Sequence, residues 1–471
     1  MRKTKLRMFL AFAVLFLMTG SAFAAKEKVI LDTDMVELFD DGMAMIMLAN
    51  HPNVDLLGVT VVAGNGWLQA GLARGIRQLE LINRSDIPIV AGARWPMRTG
   101  RFEAVKTPGA SDPTWWGYER TLFGIGVSSY TGSFSRAELD SSFFGLTPTP
   151  DMTKTYYGPI ELWQDYYKNR YKEAPKFDIE LDPRPAFKYK FGPDFIVEQV
   201  NKYPGEITII AVGPCTNLMM AVLKDPTIVP LVKKVIYMGG AVNVAGNTSP
   251  AAEFNWWYDP EAARFAVRTP WGKTDSSDER ITQVVVPLDV CEKMYFTHEQ
   301  YNKIVNLPGI NSGIKAMFET NYGSRYSTPS DAKSFVWDCI TAAILLGELN
   351  GDDIVLPQKL LHNGLPAYDG GYIDWWIDVN CDYNIDYGRS PGYANKGPVG
   401  TEKVRIINAV DEEKFWNILY TSLDPSYVPK EEEKDDPSKE DPKDDDDRGC
   451  STSMFGLMGF LALIPLLYKK R

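Results

Sequence analysis

The chain has 471 residues, 45% of them hydrophobic and 12% aromatic, which is ample for a large folded core. Its formal net charge of −11 argues against nucleic acid as a partner, because nucleic-acid-binding surfaces are basic. Residues 431–448 hold eleven acids and four bases, a net of −7, so only −4 remains for the rest of the chain. The body of the protein is therefore nearly balanced in charge.

The N-terminus has the pattern of a secretory signal peptide. Basic residues precede an apolar run over 8–18, and a small-residue cleavage site follows at Ala22-Phe23-Ala24. The apolar run is short for a bilayer span, so an N-terminal membrane anchor is the weaker interpretation. We predict that residues 1–25 are a signal peptide and that the protein is secreted.

The C-terminus predicts attachment to a cell surface. Residues 431–449 are acidic and lack aromatic side chains, so this segment is predicted to be a disordered linker. Residues 450–471 combine Cys450, an apolar segment and a basic end, which resembles the sorting tails of bacterial surface proteins. A plain tail anchor and a processed, lipid-modified Cys450 both fit this pattern. In either case the folded part, residues 26–430, would be tethered to the membrane or cell envelope.

The first folded unit, VILDTDMVELFDDGMAMIMLA, covers residues 29–49 and places four acids between a predicted buried strand and a predicted helix. Ligands of open α/β sheets bind beyond the carboxyl ends of the strands, which is where these acids lie. Clustered carboxylates repel one another unless a cation neutralises them, so the stretch predicts a hard divalent metal. Two alternatives are a simple helix cap and the aspartyl nucleophile motif of haloacid-dehalogenase-type phosphatases. The four acids are Asp32, Asp34, Asp40 and Asp41.

Apolar strands alternate with amphipathic helices along most of the remaining chain. This alternation predicts an open, mostly parallel, Rossmann-like α/β sheet with helices on both faces. Between about 98 and 190 the pattern weakens and aromatic residues are frequent, which predicts an inserted lid or subdomain over the site. The predicted strands are 54–63, 87–91, 207–212, 234–237, 281–288 and 403–409, and the predicted helices are 69–81, 193–201, 214–224 and 334–349.

Polar groups follow several of these strands. Asn65 follows the second strand, where a turn residue is the simpler interpretation. Gly213-Pro214 begins a helix and leaves the carbonyl of Val212 facing the crevice. One glycine-rich loop then carries neutral and anionic groups suited to several sugar hydroxyls, namely Asn247, Glu253 and Asn255.

Cysteine and histidine usage argues against a zinc site. The chain has five cysteines, no CxxC motif and only three histidines. Cys215, Cys291 and Cys339 lie in apolar surroundings, which predicts free buried thiols. Cys381 has no assignment from its surroundings.

The order of the motifs resembles that of nucleoside hydrolases of the inosine/uridine-preferring type. DTD…DD, VVAGN, GPCTNL, YMGGAV…GN…AAEFN and WD follow one another over residues 29–91 and 193–349. A phosphatase would not explain the sugar-suited loop at 247–255, so the phosphatase alternative is much the weaker interpretation.

The resemblance implies a hydrolase that uses one calcium ion to bind water and the ribose diol while the N-glycosidic bond of a nucleoside breaks. Carried over by motif, Asp34 would be a ligand and the general base. Asp41, Asp338 and the carbonyl of Val212 would complete the protein ligands, and Asp32 would support the residues that hold the ribosyl hydroxyls. The residues expected to hold the ribosyl hydroxyls are Asp40, Asn65, Asn247, Glu253 and Asn255.

The spacing of the acidic motif departs from the family pattern. Three residues usually separate DTD from the paired aspartates, whereas five, Met35 to Phe39, do so here. The loop is therefore reshaped, and Glu37 becomes a candidate for the metal shell.

A second departure concerns protonation of the leaving base. The family's frequent histidine before the last metal aspartate is Trp337 here, and His51, His298 and His362 match no catalytic position. Purine-specific relatives instead stack the base between aromatic side chains, so Trp337, with Trp115 or Trp116 from the insertion, would serve purine nucleosides. Core packing is an equally good interpretation of Trp337. Two alternatives stay open, namely a hydrolase for another N-riboside and a surface protein that captures nucleosides without cleaving them. The sequence is also compatible with a homo-oligomer.

Overall fold

The structure is a computed structural model that describes residues 25–38, 40–65, 68–93, 96–97, 162–175, 191–275, 277–361, 366–382 and 385–429. The chain divides into two compact units, Met1–Val428 and Pro429–Arg471, and nearly all described residues belong to the first. The predicted signal peptide, acidic linker and C-terminal tail lie outside the described residues, as do Trp115, Trp116 and most of the predicted insertion.

The main sheet has nine strands and is mostly parallel, as predicted. Seven adjacent strands run parallel, and two further strands at one edge continue the sheet in antiparallel pairing. Numbered along the chain, the strands lie in the order β10-β9-β11-β6-β5-β4-β1-β2-β3. These strands are β1 Glu27–Thr33, β2 Val54–Val61, β3 Ile89–Ala91, β4 Ile207–Ala211, β5 Val232–Met238, β6 Gln283–Val286, β9 Tyr372–Ile377, β10 Gly392–Tyr393 and β11 Lys403–Ile407, with β7 Tyr295–Phe296 and β8 Ser334–Phe335 in a separate pair.

Helices cover both faces of the sheet, which confirms the predicted class. Side chains of β1 alternate, so that Val29 and Leu31 join one hydrophobic cluster and Ile30 joins the other. The first cluster includes α1, α2 and α9 to α12, whereas the second includes α4, α5 and α7. The helices are α1 Asp41–Asn50, α2 Leu68–Leu81, α3 Leu162–Tyr171, α4 Gly192–Lys202, α5 Thr216–Lys224, α6 Phe254–Tyr258, α7 Pro260–Arg268, α8 Leu288–Cys291, α9 His298–Val305, α10 Ser312–Tyr326, α11 Asp338–Asn350 and α12 Glu412–Leu423.

Strand order reverses between β1 and β4, which are neighbours inside the sheet. β1 pairs with β2 on one side and with β4 on the other, and Asp32 is in register with both Thr60 and Ala211. The chain leaves these two strands in opposite directions across the sheet, which opens a crevice at their carboxyl ends. The DTD motif lies in this crevice.

The helix predicted over 334–349 begins later than expected. Ser334 and Phe335 instead form β8, whose Phe335 ring lies 5.4 Å from the ring of Tyr295 in β7. The helix starts at Asp338, which is therefore its first residue. This shift places the Asp338 backbone N–H among the unpaired donors of the first turn.

The thiols follow the prediction. Cys215, Cys291 and Cys339 are buried and free, and Cys381 is also free and half-buried. No helix within the described part of the chain is long and apolar enough to cross a membrane.

Candidate active site

Three carboxylates meet where the N-termini of α1 and α11 converge. Ligand oxygens of Asp40, Asp41 and Asp338 all lie within 4.8 Å of one another, a group that could hold a metal ion. The backbone N–H of Asp338 donates to Asp40 Oδ1 at 2.9 Å. Asp40 occupies the N-cap position of α1, yet its side chain makes no capping bond there. A cap on its own helix, α1, therefore does not explain this acid, whose carboxylate accepts from the first residue of α11 instead.

Burial makes the ionised forms of these acids costly. It raises the pKa of Asp40 to about 8 and that of Asp41 to about 6, and it raises the pKa of Asp34 and Asp338 well above the ordinary value. The charge of Asp41 adds to the rise at Asp34 and Asp40, and that of Asp40 adds to the rise at Asp338. A bound cation would reverse both effects, so the cluster has the electrostatics of a cation site.

Asp34 stands at the end of β1 with one oxygen held and the other available. Its Oδ2 accepts a hydrogen bond from the backbone N–H of Asn65. Its Oδ1 is buried and has no hydrogen-bond partner among the described residues. Two glycines make room for the carboxylate, because a Cβ at Gly64 would overlap Asp34 Oδ2 and one at Gly213 would lie 2.7 Å from Asp34 N.

Asp32 supports the site from beneath. Thr60 Oγ1 and Asn217 Nδ2 both donate to its Oδ1, the latter at 2.7 Å. Burial raises the pKa of Asp32 to about 7 even though these two bonds lower it. Asn217 also accepts from the backbone N–H of Ala93 at 2.8 Å and so ties the end of β3 to β1. The sequence prediction did not single out Asn217, although its position in GPCTNL, directly after a strand end, was a usable signal.

The loop after β5 reaches the same crevice through Asn255. Its Nδ2 donates to the carbonyls of Val212 at 3.0 Å and Met238 at 3.2 Å. A carbonyl oxygen has two lone pairs, so Val212 retains one for a ligand. The Oδ1 of Asn255 and the Oδ1 of Asn65 are both buried without a hydrogen-bond partner in the described part of the chain. Each is therefore available to accept a hydrogen bond.

Glu253 and Asn247 shape this loop through the backbone. Glu253 Oε1 accepts from Asn255 N at 2.7 Å, and Oε2 accepts from Gly240 N at 2.9 Å and Trp256 N at 3.2 Å. Burial still raises the pKa of Glu253 to about 7. Asn247 Oδ1 accepts from Phe254 N at 2.9 Å. Contact of these two residues with a sugar stays a prediction.

Trp337 immediately precedes the cluster. Its side chain is 9% exposed, joins the main hydrophobic cluster and meets Phe335 edge-on with ring centroids 6.0 Å apart. This packing suits the core interpretation and leaves a base-stacking role as a prediction. His51 binds Asn350 and His298 binds the Tyr326 carbonyl, while His362 lies outside the described residues.

The reshaped loop points Glu37 away from the cluster. Arg170 donates to both of its carboxylate oxygens, with Nε to Oε1 at 2.7 Å. Leu38, next in the chain, has a positive φ of 51°, a conformation that costs a non-glycine residue about 1 kcal/mol or more. Gln78 on α2 holds this turn, because its Oε1 accepts from Leu38 N at 2.8 Å and its Nε2 donates to the Val36 carbonyl at 3.2 Å.

A nine-stranded sheet whose strand order reverses between β1 and β4, and a group of carboxylates in the crevice at that reversal that could hold a metal ion, define a Rossmann-like α/β protein with a candidate oxygen-ligand site. The profile of the inosine-uridine preferring nucleoside hydrolase family matches residues 29–417. The chain belongs to this family, and it is a hydrolase that acts on N-glycosyl compounds.

Two sequence relatives illustrate the range of the family. The pyrimidine-specific ribonucleoside hydrolase RihB of Escherichia coli is 28% identical over 84% of this chain and 96% of its own. The uridine nucleosidase 1 of Arabidopsis thaliana is 28% identical over 52% of this chain and 54% of its own.

Solved structures agree with the fold. A plant nucleoside hydrolase, PpNRh1, superposes with a TM-score of 0.55 at 22% identity, covering 84% of this chain and 98% of its own. A purine-preferring ribonucleoside hydrolase from Gardnerella vaginalis gives a TM-score of 0.53 at 18% identity over the same shares.

Proposed function

We propose that this protein is a calcium-dependent hydrolase that cleaves ribonucleosides into free base and ribose. The observation that carries the proposal is the free Oδ1 of Asp34, whose carboxylate interacts electrostatically with Asp41 and Asp40 of the Asp40–Asp41–Asp338 group. A general base needs an unengaged oxygen within reach of the reacting water, and the arrangement offers one.

The donor set fits calcium. The candidate ligands are the carboxylates of Asp34, Asp41 and Asp338 with the carbonyl of Val212, and hard cations prefer such oxygens. Calcium takes about six to eight oxygen ligands, which leaves positions for water and sugar hydroxyls. When bound, the ion would supply positive charge that keeps these acids ionised and makes a neighbouring water more acidic.

The side chains would then have separate roles in the reaction. Asp34 would take a proton from the attacking water at Oδ1 while Asn65 N–H holds Oδ2. The anomeric carbon would gain positive charge as the base leaves, and the nearby carboxylates, Asp40 among them, would stabilise it. Direct attack by water predicts inversion at that carbon. The groups proposed to hold the ribosyl hydroxyls are Asp40, Asn65, Asn247, Glu253 and Asn255.

Base preference rests on two opposing arguments. Trp337 in place of a histidine favours purine nucleosides, provided that its ring is the stacking partner. The names of the sequence relatives favour uridine and other pyrimidine nucleosides. We propose that uridine is a substrate and keep the purine preference as the second candidate.

Ribose release from uridine, inosine, adenosine and guanosine, with and without a calcium chelator, tests the proposal. We expect release from at least one nucleoside, loss with the chelator and recovery with added calcium. Absence of release by folded, calcium-loaded protein would overturn it. Release only from an unrelated N-riboside would favour that alternative, whereas tight binding without release would indicate a nucleoside-capture protein.

We further propose that the protein is exported and held at the cell envelope by its C-terminal tail. The support is the sequence pattern of residues 1–25 and 450–471. Fractionation of cells that express the full chain, and of cells that express a chain ending at residue 430, tests this. Recovery of both forms in the cytoplasm would contradict it.

A further inference from the structure

The five-residue segment between Asp34 and Asp40 is held from two sides. Gln78 on α2 binds the backbone on either side of Glu37, at Val36 O and at Leu38 N. The Glu37 side chain leaves this loop on the other side and is 6% exposed. The loop thus has two separate anchors, one on a helix of the main core and one formed by Glu37.

Residues from two distant parts of the chain surround Glu37. Arg170 Nε donates to its Oε1 at 2.7 Å and Arg170 Nη2 donates to its Oε2. Tyr171 Oη also donates to Oε1, and Asn321 Nδ2 on α10 donates to Oε2 at 3.1 Å. Tyr322 Oη donates to the Glu37 carbonyl at 3.3 Å. Both carboxylate oxygens are therefore fully engaged, and none is left for a metal.

The same loop makes two backbone contacts with the Asp40–Asp41–Asp338 group. The backbone N–H of Val36 donates to Asp41 Oδ2 at 3.3 Å, and the backbone N–H of Asp40 donates to the Leu38 carbonyl. Val36 and Leu38 are the two neighbours of Glu37 in the chain. A shift of Glu37 would consequently move the groups that orient Asp40 and Asp41.

We propose that Glu37 is a positioning residue, and that its bidentate ion pair with Arg170 lets helix α3 set the affinity of the aspartate cluster for its cation. The inference rests on the proposed metal site and deepens it. It also explains the longer spacing between DTD and the paired aspartates, because the additional residues let Glu37 reach α3. Outer partners of metal ligands commonly influence metal affinity in this way.

The ionised state of Glu37 supports the proposed pairing with Arg170. Burial raises the pKa of Glu37, but the hydrogen bond and positive charge of Arg170, the hydrogen bond from Tyr171 and the charge of Arg74 together outweigh that effect, so the net pKa lies below the ordinary value. Glu37 is thus an anion paired with Arg170 rather than a spare acid of the cluster. Its removal would leave Arg170 without this carboxylate and the loop without its outer anchor.

Calcium titration of metal-free full-length protein by calorimetry tests this proposal. We expect Arg170→Gln to weaken calcium binding by about tenfold, the lower end of the effect typical for outer partners of metal ligands. Arg170→Lys keeps the charge but cannot make both bonds, so an intermediate loss is expected. Glu37→Gln combined with Arg170→Gln should cost little more than either change alone, because both break the same pair.

Arg405→Gln is the matched control. Arg405 forms a comparable two-bond pair with Asp374, Nε to Oδ1 at 3.0 Å and Nη2 to Oδ2 at 3.1 Å, between β11 and β9. The Arg405→Gln variant should bind calcium with the same affinity as the unmodified protein. If Arg170→Gln does not fold, Arg170→Lys and Tyr171→Phe, which removes only the hydroxyl bond, carry the test.

The outcomes separate the two proposals. Unchanged calcium affinity in folded Arg170 variants, with the unmodified protein binding calcium, would overturn the role of Glu37 and leave the proposed function intact. An equal loss in Arg405→Gln would also overturn it. Absence of calcium binding by the unmodified folded protein would remove the metal site and both proposals with it.

Discussion

The backbone N–H of Asn65 holds Oδ2 of Asp34, and this bond leaves Oδ1 as the one oxygen of that carboxylate without a partner in the described structure. The bond joins the end of β1 to the turn after β2, so two adjacent strands of the sheet fix the orientation of the group. A carboxylate that is ordered before the substrate arrives avoids reorganisation during the reaction.

Asp34→Asn should fold normally and lose at least about 100-fold in kcat, the usual scale for removal of a general base. The amide oxygen can still accept from Asn65 N–H, but the amide cannot take a proton from water. Steady-state kinetics and circular dichroism check this. Asp378→Asn is a suitable control, since Asp378 is a buried acid that pairs with Arg264 and Arg268 away from the cluster. Near-normal turnover by Asp34→Asn would assign the base role elsewhere.

Gly64→Ala should impair activity through Asp34. The added Cβ would overlap Asp34 Oδ2, so the carboxylate must move or the strand end must shift. Overpacking of this kind costs about 1–3 kcal/mol of stability, and we expect kcat to fall about tenfold or more. Gly323→Ala in α10 is the control, because its nearest neighbour, Tyr301 Oη, would be 3.3 Å away. An unaltered kcat in Gly64→Ala would show that the position of Asp34 is not critical.

Calcium should stabilise the folded protein as well as activate it. The buried acids of the cluster repel one another, and a cation bound only in the folded state relieves that repulsion. At a calcium concentration of about 100 times Kd, the free energy of unfolding should rise by about 2.7 kcal/mol. Thermal melts with a chelator and with added calcium measure this. Asp338→Asn should reduce the difference between the two melts.

The Glu37–Arg170 pair should appear in the pH dependence of stability. Because the folded pKa of Glu37 is below its ordinary value of 4.5, the pair stabilises the protein above pH 4.5 and loses this contribution as pH falls through the folded pKa. The stability gap between the unmodified protein and Arg170→Gln should therefore be largest near neutral pH and narrow in acid. Urea titrations of metal-free protein between pH 3 and 7 test this. A gap that is constant with pH would contradict it.

The strand ends were predictable because apolar, β-branched runs mark buried parallel strands and the polar residues that follow them must face the crevice. Asp34, Asp41, Val212 and Asn255 were singled out in this way and by motif order, and their roles stay predictions. The helix that begins at Asp338 was predicted to begin too early, at Ser334. The apolar pattern continues through Ser334 and Phe335, but these residues pair with β7 instead.

Contacts between distant segments could not be read from the sequence. Glu37 and Arg170 are 133 residues apart, and Asp32 and Asn217 are 185 apart. A local pattern reveals that a residue is acidic and near a site, but not which partner the tertiary fold brings to it. The sequence therefore made Glu37 a candidate for the metal shell. In the structure its carboxylate pairs instead with Arg170 on α3, a helix that no recognisable motif marks.

The contact between Asp40 and Asp338 also has a consequence for how the chain folds. It joins residues 298 positions apart, so most of the domain must be assembled before the two helix ends can meet. Capture of the proposed cation should then be one of the last events of refolding. In stopped-flow experiments, terbium luminescence from the site should rise after the far-ultraviolet circular dichroism signal, which makes the ion a reporter of completed folding.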